Sequence, residues 1–125
     1  MMKEELIQFF DKFVQDFKSF DGAVIADRYH APYTAISSDK SVSLYQKQKD
    51  IEKYFATILA DYKKRDTTYC TYTNFEFSAI GKKSALSTMD WNMMKSDRTP
   101  VTSWRESYVL IFDNAKWKII TSIDH

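Results

Sequence analysis

Residues 104–120 read WRESYVLIFDNAKWKII, and this stretch decides the fold. Trp104, Tyr108 and Phe112 fall on one face of an extended chain, because successive side chains of a strand point to opposite faces. The polar turn 113–115 follows, and a second apolar run begins at Trp117. A turn this short makes the two flanking strands pair antiparallel. The stretch therefore predicts a β-hairpin with strands at 101–112 and 116–123.

Two further strands precede this hairpin, at 67–80 and 84–95. Beyond Asp66 the composition changes to β-branched and aromatic residues, and the short polar turns 81–83 and 96–98 bound the second of these strands. Together the four strands predict an antiparallel meander. In the 84–95 strand, one face carries Met89, Trp91 and Met93, and the other carries Leu86, Asp90, Asn92 and Met94.

The N-terminal half has the spacing of helices instead. Leu6, Phe9, Phe10, Phe13 and Phe17 recur at intervals of three and four residues, which predicts a helix over 3–20. The same spacing predicts a third helix over 46–64, and two short strands are predicted at 33–37 and 42–45. The order indicates a single α+β domain over 1–125, in which three helices pack on a strongly curved, mostly antiparallel sheet of about six strands.

A short second helix is predicted between the helix over 3–20 and the strand over 33–37. Asp21 is its expected N-cap, and the helix runs to His30, where an imidazole near the C-terminal end suits the helix dipole. Pro32 is expected to stop it, because proline disfavours helix in the residue before it.

The composition excludes several classes of function. Eighteen Lys plus Arg against seventeen Asp plus Glu give a net charge of +1, so no nucleic-acid or membrane surface is expected. One cysteine, Cys70, rules out an internal disulfide and is expected to be a small buried apolar group. With one cysteine and two histidines, no zinc site built from Cys and His is expected. No Gly-rich phosphate loop and no cluster with metal-ligand spacing is present, so no metal and no cofactor are expected. The N-terminus lacks an export pattern, which predicts a cytoplasmic protein.

Both faces of the predicted sheet carry apolar side chains. In the 101–112 strand, Trp104 and Tyr108 share one face, and Val109 and Ile111 share the other. Three helices can cover only one face of the sheet. We therefore expect a homodimer in which the outer face of each sheet covers that of the partner.

This order of elements resembles the nuclear transport factor 2-like (NTF2-like) superfamily, particularly its SnoaL-like branch. Many members of that branch end in a strand, a tight polar turn and a second strand with the pattern Trp-basic-aliphatic-aliphatic. Residues 104–120 have this order, and residues 117–120 have this pattern. The resemblance implies a cone-shaped roll that leaves an apolar cavity open at one end. It also implies a range of functions, from isomerases, lyases, cyclases and epoxide hydrolases to binding and dimerisation modules without catalysis.

A cavity of this kind would be lined by aromatic and thioether side chains, which offer apolar area and a few polar contacts. A small apolar or aromatic molecule is its expected occupant. The residues expected to line it are Phe13, Phe17, Tyr29, Tyr33, Tyr54, Tyr72, Met89, Trp91 and Trp104.

Two carboxylates, Asp90 and Asp124, are the candidate catalytic groups. Asp90 is the better base if its strand turns it inward, whereas an outward Asp90 would lie beside Arg105 in solvent or at the dimer interface. The trio of Asp90, Arg105 and Asp124 is similar in type to the Asp–Arg–Asp set of epoxide-hydrolase relatives.

Three other positions depart from the patterns of catalytic relatives. Serine stands at the position of the isomerase base, within 36–39, and Thr121 and Ser122 stand where many SnoaL-like relatives carry histidines. Three functions remain open: a small-molecule-binding module; a lyase, isomerase or hydrolase acting on a hydrophobic substrate; and a dimerisation or scaffolding domain without a ligand.

Overall fold

The computed structural model describes residues 1–125 and contains three helices and one curved, open, six-stranded sheet. In chain order the elements are α1 (Met2–Phe17), α2 (Gly22–Ala26), β1 (Tyr29–Ile36), β2 (Val42–Tyr45), α3 (Gln48–Lys64), β3 (Tyr69–Ala79), β4 (Ser84–Met94), β5 (Pro100–Asp113) and β6 (Lys116–Asp124). The strand order is β2-β1-β6-β5-β4-β3, and only the β1–β6 pair is parallel. The predicted α+β architecture is confirmed.

Helix α1 lies on the inner face of the sheet through its phenylalanine stripe. Phe9, Phe10, Phe13 and Phe17 are all buried. Phe10 is at the centre, and its ring is 5.2 Å from the ring of Tyr108 between centroids. Each buried side chain of this size contributes about 1.5–3 kcal/mol. The apolar residues of α1 recur every three or four positions because that spacing places them on the one face of the helix that packs against the sheet.

Two helix ends differ from the prediction. Helix α1 ends at Phe17, three residues before the predicted end, because Phe20 has a φ of 50°, which a right-handed helix cannot continue. Helix α2 begins as predicted, with the Asp21 carboxylate accepting a hydrogen bond from the Ala23 amide at 2.9 Å. It ends at Ala26, four residues before the predicted end.

The prediction that His30 caps α2 and that Pro32 stops it is wrong. Both residues lie inside β1, which pairs with β2 on one side and with β6 on the other. Burial of Tyr29 and Tyr33 on the inner face outweighs the local helical preference. Pro32 is tolerated because it is exposed and lies where the β1–β6 register is interrupted, so no amide hydrogen is required there.

A bulge in β3 contributes to the curvature of the sheet. The register against β4 shifts between Thr73 and Glu76, and Asn74 has a φ of 54°. Bulges of this kind bend the strand and increase its twist. Further register shifts occur in the β4–β5 and β5–β6 pairs. The bent sheet leaves space between its inner face and the helices.

The outer face of the sheet, turned away from the helices, is mixed in character. Leu86, Val109, Ile111 and Ile123 are partly exposed there, beside polar side chains. The homodimer expected through this face stays a prediction. None of the three helices combines the length and the apolar run that a bilayer crossing requires.

At Gly22 the backbones of α2 and α3 lie in close contact. A Cβ atom on this residue would lie 2.6 Å from the backbone nitrogen of Ala56 and 2.6 Å from the carbonyl oxygen of Glu52. Because both neighbours are backbone atoms, the helices themselves would have to separate. We expect Gly22→Ala to lower the free energy of unfolding by about 1–3 kcal/mol.

Urea denaturation followed by circular dichroism measures this change. The control is Val24→Ala in the same helix, where the side chain is partly exposed and the effect should stay within about 0.5 kcal/mol. Equal stabilities for Gly22→Ala and the wild-type protein would show that the two helices are not in close contact.

Candidate functional site

A cavity of about 220 Å³ lies between the inner face of the sheet and helices α1 and α3. Seventeen of its 21 lining residues are hydrophobic, so its walls are apolar. Alternate residues of β5 reach it, namely Trp104, Glu106 and Tyr108. The deeper lining is buried, whereas Ile36, Ile58 and Tyr62 are partly exposed. The cavity therefore opens to solvent between the end of β1 and α3.

Seven of the nine residues predicted to line a pocket lie around this cavity: Phe13, Phe17, Tyr29, Tyr33, Tyr54, Trp91 and Trp104. Tyr72 and Met89 do not line it. The Tyr72 hydroxyl donates a hydrogen bond to Asp11 at 2.7 Å, so this side chain joins β3 to α1 at the edge of the core. Met89 is completely buried in the hydrophobic core.

Asp90 lies on the outer face, away from the cavity. Its carboxylate accepts hydrogen bonds from Asn74 at 2.7 Å and from Arg105 at 2.9 Å. These two contacts hold the pKa of Asp90 below its usual range. Arg105 also binds Glu76 at 2.7 Å. Met89 and Trp91 occupy the inner face, so the residue between them must point outward.

Asp124 is on the inner face and lines the cavity. The structure therefore does not bring the trio of Asp90, Arg105 and Asp124 together, because the sheet separates Asp124 from the other two residues. Asp124 instead lies directly opposite Glu106 in the antiparallel pairing of β5 and β6. Directly opposed side chains in an antiparallel pair have Cβ atoms about 4.5–5.5 Å apart. The cavity thus contains a pair of carboxyl groups.

Glu106 is the functional candidate that the sequence reasoning missed. It stands two residues from both Trp104 and Tyr108, which the sequence pattern predicts on one face, so alternation along β5 predicts Glu106 on that face as well. Its side chain is 9% exposed, and one carboxylate oxygen accepts a hydrogen bond from the Trp104 indole at 2.8 Å. A buried acid on an apolar wall is an unusual and informative feature.

Burial is the main cause that raises the pKa of Glu106 to about 7, and the negative charge of Asp124 adds to it. Hydrogen bonding to Trp104, Tyr108 and Ser122 opposes the shift. Burial also raises the pKa of Asp124, against the effect of the neighbouring His125. Near neutral pH, Glu106 is therefore divided between its neutral and charged forms.

Five tyrosines line the cavity together with this carboxyl pair. Tyr33 and Ser122 share a hydrogen bond across β1 and β6. Tyr108 accepts a hydrogen bond from the Trp91 indole at 2.8 Å. Burial raises the pKa of Tyr54 to about 12, and it also raises the pKa values of Tyr33 and Tyr108. These phenols stay protonated near neutral pH and can donate hydrogen bonds to a polar group in the cavity.

Cys70 also lines the cavity, and the expectation that it is a buried apolar group is confirmed, since its side chain is 1% exposed. Burial raises the pKa of its thiol to about 12. Because the thiolate is the reactive form, this residue is not an activated nucleophile near neutral pH.

The sequence matches the family described as NTF2-like protein (DUF6841) over residues 4–125. The chain belongs to this family. The expected resemblance to NTF2-like proteins is thereby confirmed, whereas the SnoaL-like branch stays a prediction. No curated protein matches the chain.

Several solved structures share this NTF2-like fold. Aln2 from a Streptomyces species aligns with a TM-score of 0.80 at 8% identity, covering 99% of this chain and 89% of that one. An NTF-2 like protein of unknown function from Shewanella oneidensis aligns at 0.77 and 12% identity, covering 99% and 98%. A putative calcium/calmodulin dependent protein kinase II association domain from Xanthomonas campestris aligns at 0.70 and 16% identity, covering 96% and 84%. At these identities the likeness concerns the fold alone.

Proposed function

We propose that this NTF2-like protein is a binding module for a small, largely apolar aromatic molecule, which it holds in the cavity between α3 and the inner face of the sheet. The observation that carries the proposal is the open cavity of about 220 Å³ with aromatic walls. A cavity of about 150 Å³ is large enough for benzene. The space here therefore suits one aromatic ring with a short substituent.

The polar groups of the cavity would orient such a ligand. Glu106 and Asp124 lie on neighbouring strands, and phenols project from β1, α3 and β5. Ligand sites in proteins commonly combine apolar walls with a few converging polar groups of this kind. The ring would lie against Tyr54 and Trp104, with its substituent directed to the carboxyl pair.

Ligand-observed NMR with 2-phenylethanol tests this function. We expect saturation transfer to its ring in the wild-type protein and at least about a tenfold loss of affinity in Ala35→Trp, since Ala35 lines the cavity and a large ring there would fill it. Ile80→Trp is the matched control, because Ile80 is 52% exposed and outside the cavity. Equal binding by Ala35→Trp, or failure of the wild-type protein to bind any one-ring aromatic probe, whether neutral or charged, would contradict the proposal.

A second candidate function is an acid–base enzyme, a lyase, isomerase or hydrolase acting on a hydrophobic substrate. The observation that favours it is a pKa of about 7 for a glutamate inside the cavity, since a group that titrates near the working pH suits proton transfer. New resonances from a chemically altered ligand in the same NMR samples would favour this candidate. Unchanged ligand spectra over days would favour binding alone.

A further inference from the structure

The charge inside the cavity is of one sign only. Glu106 and Asp124 are the charged residues that line it, and no lysine, arginine or histidine does so. Arg105 lies on the outer face, bound to Asp90 and Glu76. His125 is turned to the outer face as well, where its ring nitrogen shares a hydrogen bond with Ser107 at 2.7 Å. The chain itself supplies no cationic partner within the cavity.

Buried charges in proteins are ordinarily paired, because an unpaired charge costs several kcal/mol of desolvation. Glu106 departs from this rule, since it is nine-tenths buried and faces a second carboxyl group. A positively charged guest would supply the missing partner. An anionic guest would meet the carboxyl pair and no compensating group.

The aromatic walls of the cavity also favour a positively charged guest. The ring faces of tryptophan and tyrosine carry negative electrostatic potential and attract cations within about 6 Å of the ring centre. Trp104 lies on the wall beside Glu106, and the ring of Tyr62 is stacked parallel to it, with 6.3 Å between centroids. Aromatic walls and two carboxyl groups together form a site of the type that recognises ammonium groups.

We propose that the ligand of this cavity is an organic cation: an ammonium group on a compact aromatic body, with the charge seated between Glu106 and Asp124. This inference rests on the proposed function, which holds that the cavity binds a small aromatic molecule. A metal ion fits less well, because the structure contains no cluster of three or more His, Cys, Asp or Glu side chains that could hold one.

Binding of such a cation is coupled to the protonation of Glu106. The titratable groups that face Glu106 are Asp124 and the phenols of Tyr29, Tyr33, Tyr54, Tyr62 and Tyr108. Burial raises the pKa of each phenol, so all five are neutral near pH 7. A permanent cation favours the carboxylate form of Glu106. Its binding therefore releases a proton and strengthens as the pH rises through about 7.

Calorimetric titration with three one-ring probes tests the inference: benzyltrimethylammonium, 2-phenylethanol and phenylacetate. At a pH of about 8 we expect the cation to bind at least about tenfold more tightly than the alcohol, and phenylacetate to bind most weakly. The affinity for the cation should fall several-fold between a pH of about 8 and about 6. Because this cation carries no ionisable proton, the change in affinity reports the protein alone.

Two variants of the carboxyl pair sharpen the test. Glu106→Gln and Asp124→Asn should each lower the ratio of cation affinity to alcohol affinity by about fivefold or more. The matched control is Asp90→Asn on the outer face, which should leave that ratio as in the wild-type protein. If Glu106→Gln fails to fold by circular dichroism, Asp124→Asn carries the comparison.

The possible results distinguish the cation inference from the proposed binding function on which it rests. Binding of 2-phenylethanol as tight as that of benzyltrimethylammonium overturns the cation inference and leaves the binding function in place. A ratio that is unaltered in Asp124→Asn also overturns it. Failure of all three probes to bind overturns the cation inference together with the proposed function.

Discussion

At a pH of about 8, the Glu106→Gln variant is expected to be more stable than the wild-type protein by about 3 kcal/mol. In the unfolded chain, Glu106 has the ordinary pKa of 4.5, and in the folded protein burial and the charge of Asp124 raise it to about 7. Between these two values the folded protein binds more protons than the unfolded chain. The contribution of Glu106 to the free energy of unfolding is fully present below its unfolded-state pKa and is lost as the pH rises through its folded-state pKa.

Glutamine keeps the shape of the side chain and an oxygen for the Trp104 indole, but it never carries a charge. The variant should therefore match the wild-type protein at a pH of about 4.5 and exceed it increasingly up to about 8. Urea denaturation across this pH range measures the difference. Glu4→Gln is the control, because Glu4 is exposed in the first turn of α1 and should alter stability by less than about 0.5 kcal/mol at every pH.

A variant less stable than the wild-type protein at high pH, or a difference that does not vary with pH, would contradict the buried position of Glu106. The expected gain also has a functional meaning. A side chain that lowers the stability of the protein near neutral pH is explained if the cavity needs its charge or its proton.

The second large effect is expected at Phe10, whose replacement by alanine should lower the free energy of unfolding by about 3–5 kcal/mol. The side chain is completely buried at the centre of the inner face. Its ring lies 5.0 Å from Phe9, 5.2 Å from Tyr108 and 6.2 Å from Phe75 between centroids. Since domains are typically stable by only about 5–15 kcal/mol, this loss would be a large part of the total.

Urea denaturation again supplies the measurement, and Leu44→Ala is the control for loss of an apolar side chain. Leu44 is 56% exposed on β2, so its truncation should cost less than about 1 kcal/mol. If Phe10→Ala were as mild as the control, α1 could not lie on the inner face of the sheet as described.

Much of the fold could be predicted from the sequence, because the elements that form it have strong periodicity. The phenylalanine stripe of α1 and the alternation in β4 and β5 each define a buried face, and both faces meet in the core. The end of α2 could not be predicted in this way. Residues around His30 join β1 because β2 and β6 pair with them, and those partners are distant in sequence.

The site was less accessible to the same reasoning. The alternation of side chains along β4 places Asp90 and Trp91 on opposite faces of the sheet. It does not indicate which of the two faces the helices cover. Glu106 interrupts an apolar row, and its partner Asp124 becomes apparent only from the β5–β6 register. Aromatic side chains also fill a solid core as well as they wall a cavity. The curvature of the sheet decides between the two, and it depends on bulges such as the one at Asn74.

The most direct test of the account is a crystal structure of the protein grown with 2-phenylethanol. We expect electron density for the ring between Tyr54 and Trp104, with the hydroxyl group directed to Glu106 and Asp124. Side chains closed over that space, or a guest bound only at another surface, would contradict the claim that this fold encloses an acidic, aromatic binding cavity.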